Sequence, residues 1–299
     1  MEQNRTQCDF AGADSWVILT EIEQSIKRKI EAIGTPLKDW DIQINYGIKT
    51  GFNDAFIIST EKRNELLANC KSEEERRRTE ELIRPILRGR DIKRYGYDWA
   101  GLWLIATFPS RHYDIEDYPA VKEHLLSFGM QRLEQTGKSY NIGGATIKAR
   151  KKTNNKWFET QDSISYWEDF LKPKVLWKRI GSILRFCYTE SSFLGLDSTC
   201  LLTGCMSEYL CCVLNSKMGH YLLKDAPKTG TGDLLISVQA IEPLYIPVIS
   251  EKENLTFMNL MNNIHNGVMS ESEDIILEMI FNLYQLTQQE RTYIKEMFS

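Results

Sequence analysis

Apolar residues recur along this chain with two periods. Ile18, Ile22, Ile26 and Ile30 return every fourth residue, which predicts a helix starting at Ser15 and stopped by Gly34-Thr35-Pro36. Asp41 to Ile58 reads as strand, turn, strand. Ile42 and Ile44 alternate, Gly47 and Gly51 bracket Ile48-Lys49-Thr50, and Ala55 to Ile58 is a buried run. Thr60 to Ile83 reads as a charged helical stretch, Trp99 to Phe108 as a strand pair around Gly101, and Tyr118 to Arg132 as a helix with Pro119 in its first turn. Gly137 to Asn155 is polar, basic and glycine-containing, the composition of an exposed loop. Structure resumes at Trp167 to Asp169. Lys174 to Trp177, Leu184 to Tyr188 and Thr199 to Thr203 are short strands rich in Val, Ile, Phe and Tyr. Met206 to Leu223 predicts one helix with Tyr209, Leu210, Val213, Leu214, Met218 and Tyr221 on its apolar stripe. A loop at Ala226 to Asp233, a strand-like end at Val238 to Val248 and two amphipathic helices complete the chain.

The composition, 42% hydrophobic and 26% charged over 299 residues, is that of a folded chain of one large domain or two small ones. No run of about 18 apolar residues could span a membrane. Seven cysteines, an odd number without C-x-x-C pairs, read as reduced thiols of a cytoplasmic protein, and four scattered histidines argue against a Cys/His zinc site. The net charge of -4 speaks against a nucleic-acid partner, but its distribution reverses that reading. The two ends are acidic. Between them, Arg84 to Tyr95, Lys148 to Lys156 and Lys172 to Arg185 each hold five basic residues, opposed only by Asp91 in the first. An acidic chain with such a middle can still present a basic face.

Catalytic signatures are missing. There is no Pro-Pro pair for an amino-methyltransferase loop, no F-x-G-x-G loop for S-adenosylmethionine, and no phosphate loop, H-E-x-x-H or G-x-S-x-G. Asp91-Ile92-Lys93 has the acid-x-lysine spacing of metal-dependent nucleases. A divalent-metal nuclease using Asp91 and Lys93 is therefore one alternative, and a protein-interaction module with basic patches is another.

Five segments carry a family resemblance. They are Tyr46-Gly47-Ile48-Lys49-Thr50-Gly51-Phe52-Asn53-Asp54-Ala55-Phe56, Ile83-Arg84-Pro85-Ile86-Leu87-Arg88-Gly89-Arg90-Asp91-Ile92-Lys93-Arg94-Tyr95, Lys172-Pro173-Lys174-Val175-Leu176-Trp177, the helix Tyr209 to Lys217 containing Leu214-Asn215-Ser216, and Pro243-Leu244-Tyr245-Ile246-Pro247. In this order they resemble the TaqI-like C-terminal specificity domains, the target-recognition domains of type II adenine methyltransferases and fused restriction-modification enzymes.

The resemblance implies sequence-specific binding of duplex DNA by a domain that orients an N6-adenine methyltransferase, so that an adenine can be flipped into it. The methyltransferase domain would act in cis or in trans, with or without a fused endonuclease. No catalysis would reside in this chain and it would need no cofactor. S-adenosylmethionine, and Mg²⁺ where DNA is also cut, would belong to the parent enzyme. The leader Met1 to Ala13 points to an excised domain rather than a separate subunit. The expected fold is α+β, a twisted β-rich recognition domain with packed helices. The expected division is residues 1–41 as leader and helix, 42–250 as the recognition domain and 251–299 as a helical segment.

Each candidate contact residue has a plain reading beside it. Lys49, Thr50 and Asn53 lie on the glycine-bracketed turn, where an Asn can pair with adenine, or the turn is an ordinary hairpin. Arg88 and Arg90 flank Gly89 as a phosphate clamp, or pair internally with Asp91. Lys148, Arg150, Lys151, Lys152 and Lys156 form a phosphate-binding loop or a solvated one. Of Lys178 and Arg179, strand alternation sends one to the DNA. Lys228 and Thr229 lie on a flexible loop that enters a groove or only connects. The C-terminal helices are core or a docking surface.

Overall fold

A computed structural model describes residues 19–298. The predicted helix start at Ser15, Ile18 and the leader lie outside the described residues. The fold is α+β, and the chain divides into two compact units, residues 1–42 with 205–299, and residues 43–204.

In the first unit, helix α1 (Glu21–Ile33) buries Ile26 and Ile30. It begins at a capping box in which Thr20 and Glu23 satisfy each other's backbone N–H groups, and it ends at Gly34. Strand β1 (Thr35–Pro36) pairs antiparallel with β14 (Tyr245–Ile246). The apolar stripe over 206–223 is broken into α7 (Ser207–Asn215) and α8 (Lys217–Leu222) rather than forming one helix. Ser216 is the reason: its extended backbone ends the first helix, and its hydroxyl accepts from the Gly219 N–H to cap the second. The stretch after β13 (Leu234–Leu235) contains a helical turn, α9 (Val238–Ile241), before β14. Three C-terminal helices are present instead of two: α10 (Glu251–His265), α11 (Met269–Leu283) and α12 (Gln288–Met297). A second Thr-to-Glu capping box, Thr287 with Glu290, starts the last of them. Phe257, Met261, Ile276, Ile280 and Phe281 are buried, so the inner faces of α10 and α11 are core.

The unit 43–204 is built on two four-stranded sheets, the second of them mixed. One has the order β10 (Phe186–Thr189), β8 (Lys174–Lys178), β12 (Thr199–Gly204), β2 (Ile42–Tyr46), with β8 antiparallel to both of its neighbours. The other runs β11 (Leu194–Gly195), β4 (Ile83–Leu87), β5 (Leu102–Ile105), β3 (Ile57–Ser59), with β11 parallel to β4 and the remaining pairs antiparallel. A short strand β9 (Ile180–Gly181) follows β8. Ile48, Phe56, Ile86, Leu104, Phe170, Leu176 and Leu201 belong to one continuous core. Lys174 is buried within this unit, its ammonium donating to the carbonyls of Phe170 (2.8 Å), Lys172 (3.2 Å) and Ser191 (2.6 Å).

Several local expectations are corrected here. Residues 53–56 form a helical turn, α2 (Asn53–Phe56), not a strand. The Thr50 hydroxyl accepts from the Phe52 N–H and donates to Asn53 Oδ1 (2.6 Å), which curls the chain before β3. The charged stretch is two helices, α3 (Thr60–Ala68) and α4 (Glu73–Leu82), the second starting at its own Ser72 cap. One strand, β5, stands where a strand pair was expected. The Tyr118–Arg132 helix is split into α5 (Pro119–Leu126), with Pro119 in its first turn, and α6 (Met130–Leu133). Within the expected 137–155 loop, residues 139–148 form a hairpin of β6 (Ser139–Ile142) and β7 (Ala145–Lys148), joined by Gly143-Gly144 with both residues at positive φ, while 149–155 have no regular structure.

Candidate nucleic-acid interface

One turn ties three strand ends together. Between β11 and β12, Gly195 to Thr199 bonds the chain after β2: the Ile48 N–H donates to Gly195 O (2.7 Å), the Gly47 N–H to Thr199 O (2.9 Å) and the Asp197 N–H to Ile48 O (2.9 Å). It bonds the end of β4 through the Leu196 N–H to Leu87 O (2.9 Å) and the Gly89 N–H to Ser198 Oγ (3.0 Å). It bonds the end of β8 through the Arg179 N–H to Ser198 O (2.9 Å). These ends carry Lys49, Arg88 with Arg90, and Lys178 with Arg179. Two of the expected basic segments and the Lys49 turn, far apart in sequence, therefore share one edge of the unit. Gly47 is dictated by this approach, because a Cβ there would lie 1.9 Å from Leu196 O. An added Cβ at Gly89 would lie 2.9 Å from Lys178 Cγ and 2.9 Å from Ser198 O.

At this edge a cleft of about 310 Å³ is lined by Tyr46, Lys49, Asp162, Tyr166, Arg179 and Asp197, among others. Lys49 is exposed, and its carbonyl accepts from the N–H groups of Gln161 and Asp162, which holds the turn against the 161–166 segment. Arg179 lies 6.0 Å from the Tyr46 ring, and its buried Nε has no hydrogen-bond partner among the described residues. The Tyr166 hydroxyl donates to Tyr46 O (2.9 Å). Burial pushes the Asp162 carboxyl above its ordinary value, with Lys49 opposing. Burial, reinforced by the charge of Asp162, pushes the Tyr166 phenol up to about 12, so it stays a neutral donor. The cleft thus offers cationic donors and carboxylate acceptors side by side.

The other expected contact residues divide. Asn53 is exposed, but Thr50 is fully buried and turned to Asn53. Arg88 binds Asp91 through Nε (2.9 Å) and Nη2 (2.7 Å), and its own N–H also donates to that carboxylate (2.8 Å). Desolvation pushes Asp91 up, but the Arg88 hydrogen bonds outweigh it and hold the carboxyl below its usual range. Arg90 is exposed. Asp91 is committed to Arg88, and Lys93 lies 3.3 Å from Asp98, so the acid-x-lysine triplet has no shared site. Among the described residues, no group of three or more His, Cys, Asp or Glu could hold a metal ion.

Arg150 is the main correction. It was expected on an exposed loop, yet it is 4% exposed. Its guanidinium donates to the carbonyls of Leu133 (2.8 and 2.6 Å), Thr50 (3.0 Å), Glu159 (2.7 Å) and Trp157. It stitches the 49–53 turn to the segment after the hairpin. Its neighbours Lys148, Lys151, Lys152 and Lys156 are all exposed. Lys178, the last residue of β8, is exposed, and Arg179, just past the strand, is half-buried. Lys228 and Thr229 lie in the other unit, on a loop closed by the Thr229 N–H donating to Asp233 O (2.8 Å).

Sequence reasoning missed Asp162, Asp197, Tyr46 and Tyr166. A search for basic patches passes over acids, and no spacing links 46, 162 and 197. Among the described residues, no helix is long and apolar enough to cross a membrane.

The profile of the TaqI-like C-terminal specificity domain matches residues 84–244. No curated protein matches the chain. Among solved structures, the chain is similar to the Type IIL restriction-modification enzyme MmeI, solved in complex with DNA, at 11% identity and a TM-score of 0.56 over 88% of this chain. It is also similar to the type IIG restriction endonuclease BpuSI, at 13% identity and a TM-score of 0.47 over 89% of this chain. It spans 36% and 34% of the lengths of those two enzymes. The fold agrees with the first of them. With residues 84–244, more than half of its length, matched by that profile, this chain belongs to the TaqI-like C-terminal specificity domain family.

Proposed function

We propose that this chain reads a sequence in duplex DNA for a restriction-modification enzyme, with residues 42–250 as the recognition domain and the edge around the 195–199 turn as the reading face. The observation that carries this is the mixed chemistry of the cleft. A phosphate clamp needs only cations, and half-buried carboxylates beside it would repel the backbone. Base edges in the major groove present both signs. Lys49 and Arg179 suit the guanine O6 and N7 acceptors, while Asp162 and Asp197 suit the amino donors of cytosine or adenine. Asn53 reads beside them. Lys148, Lys151, Lys152, Lys156, Lys178 and Arg90 supply phosphate contacts, with Lys228 and Thr229 as a further groove contact. The parent enzyme modifies the N6 of an adenine with S-adenosylmethionine, using a methyltransferase domain in cis or in trans. This chain carries no chemistry of its own and acts in the cytoplasm.

The test is selection from a randomised duplex pool, followed by sequencing, for the wild type, Asp197→Asn and Lys49→Ala. Each substitution should alter the preference at one base position by about 1–3 kcal/mol while sparing non-specific binding. Unchanged motifs in both variants would remove the cleft from the reading face. Methyl transfer or cleavage by this chain alone would defeat the division of labour.

A further inference from the structure

A second cavity in residues 43–204, of about 450 Å³, lies apart from the cleft and shares no lining residue with it. Its floor is apolar, made by Leu82, Phe108 and Leu194 among others. Three arginines line it, Arg78, Arg84 and Arg111, with a single carboxylate, Glu81, which is ion-paired to Arg77 (3.5 Å). The Arg111 guanidinium lies 4.1 Å from the Trp167 ring centre and 5.9 Å from that of Tyr113. Tyr113 in turn packs edge-on against Tyr118 at 5.8 Å.

Among the described residues, neither Arg84 nor Arg111 has a side-chain hydrogen bond or ion pair. Arg78 reaches Glu74 (3.3 Å) and Asp117 O (3.3 Å), and its buried Nε has no hydrogen-bond partner among the described residues. Arg84 is half-buried and Arg111 exposed, so their guanidinium groups are left as open donors around an aromatic and apolar hollow, an arrangement that a planar anion would complete.

We propose that this cavity binds a single nucleotide, its base against the aromatic and guanidinium planes and its phosphate on the arginines. The volume falls in the range of small-molecule sites, roughly 300–1,000 Å³. A base has a π-face for Trp167, Tyr113 and Arg111, and one phosphate can take the donors of Arg84 and Arg78. Inorganic phosphate alone would leave the apolar floor wet, and a neutral ring would leave the arginines unpaired. The same chemistry is offered by a free mononucleotide and by an unstacked nucleotide within a DNA strand. The inference does not rest on the duplex-reading proposal, because paired bases inside a duplex cannot enter such a hollow.

Calorimetric titration of the full chain tests it with dAMP, deoxyadenosine, inorganic phosphate and N-acetylphenylalanine. dAMP should bind one to one, on the order of tenfold or more tighter than each of the others. Arg84→Gln and Arg111→Ala should each weaken dAMP binding by a similar factor, while Lys49→Ala leaves it unchanged. Arg111 is exposed, so its substitution leaves the fold intact even if the strand variant is unstable. A duplex with one unpaired nucleotide, compared with its fully paired form, separates the two sources. Preference for the unpaired form, lost in Arg111→Ala, identifies a strand nucleotide; equal binding alongside tight dAMP binding identifies a free one. Absence of dAMP binding, binding indifferent to both arginines, or equal binding of N-acetylphenylalanine would overturn the proposal.

Discussion

Replacing Arg150 with methionine keeps the unbranched apolar stem and removes the guanidinium donors. The wild-type guanidinium serves four carbonyls, on Leu133, Thr50, Glu159 and Trp157. A bond from a charged donor contributes about 1.5–3 kcal/mol net, and each buried carbonyl left without a donor costs about 1–3 kcal/mol. One side chain makes all these bonds, so they do not add, and methionine recovers part of the packing. A net loss of about 3–5 kcal/mol follows, the range for stripping one partner from a buried charged network. Burial draws the Arg150 guanidinium down to about 10, with Glu159 opposing. It is therefore charged in both folded and unfolded chains near neutrality, and the loss should not vary between about pH 6 and 8. The assay is urea unfolding followed by tryptophan fluorescence. Five of the seven tryptophans lie in residues 43–204, so the signal reports mainly on that unit. DNA binding is measured on the same variant below its unfolding transition. A variant as stable as the wild type that fails to bind DNA would place Arg150 on the DNA and refute the structural role.

Asp91→Asn should lower stability at neutral pH and flatten the acid limb. Its folded pKa is depressed, so the stability it contributes is full above about 3.9 and is lost as pH falls through the lower folded value; acid titration of unfolding checks this. Lys174→Met should destabilise by about 2–4 kcal/mol by stranding three carbonyls, read in the same urea assay. Gly47→Ala should cost at least about 2 kcal/mol, since its Cβ meets Leu196 O and neither backbone can give; a wild-type melting temperature would contradict this. Lys151→Ala with Lys152→Ala should weaken binding to all duplexes alike and reduce the salt slope by up to about two units, whereas Asn53→Ala should change the selected motif. A motif altered by the lysine pair but untouched at Asn53 would reverse those roles.

The sequence by itself determined the family, the α+β class and the placement of most strands. Strands such as Lys174–Lys178 and Thr199–Gly204 are local patterns of Val, Leu and Trp or Thr that need no partner to be legible. Breaks inside apolar stripes were harder to read. Ser216, Ser72 and Thr287 each start a helix through one hydroxyl bonded to a backbone N–H three residues on, a signal that hydrophobic period does not register. The 139–148 hairpin was hidden by its polar composition, although Gly143-Gly144 is a hairpin signal. Only the tertiary structure decided which charges are free. Charge runs count Arg150 with Lys151 and Lys152, but its guanidinium is consumed by carbonyls from three segments that meet only after folding. Asp162 and Asp197 became cleft residues for the same reason. The 195–199 turn joins the ends of β2, β4 and β8 through backbone hydrogen bonds, and such bonds leave no trace in residue type.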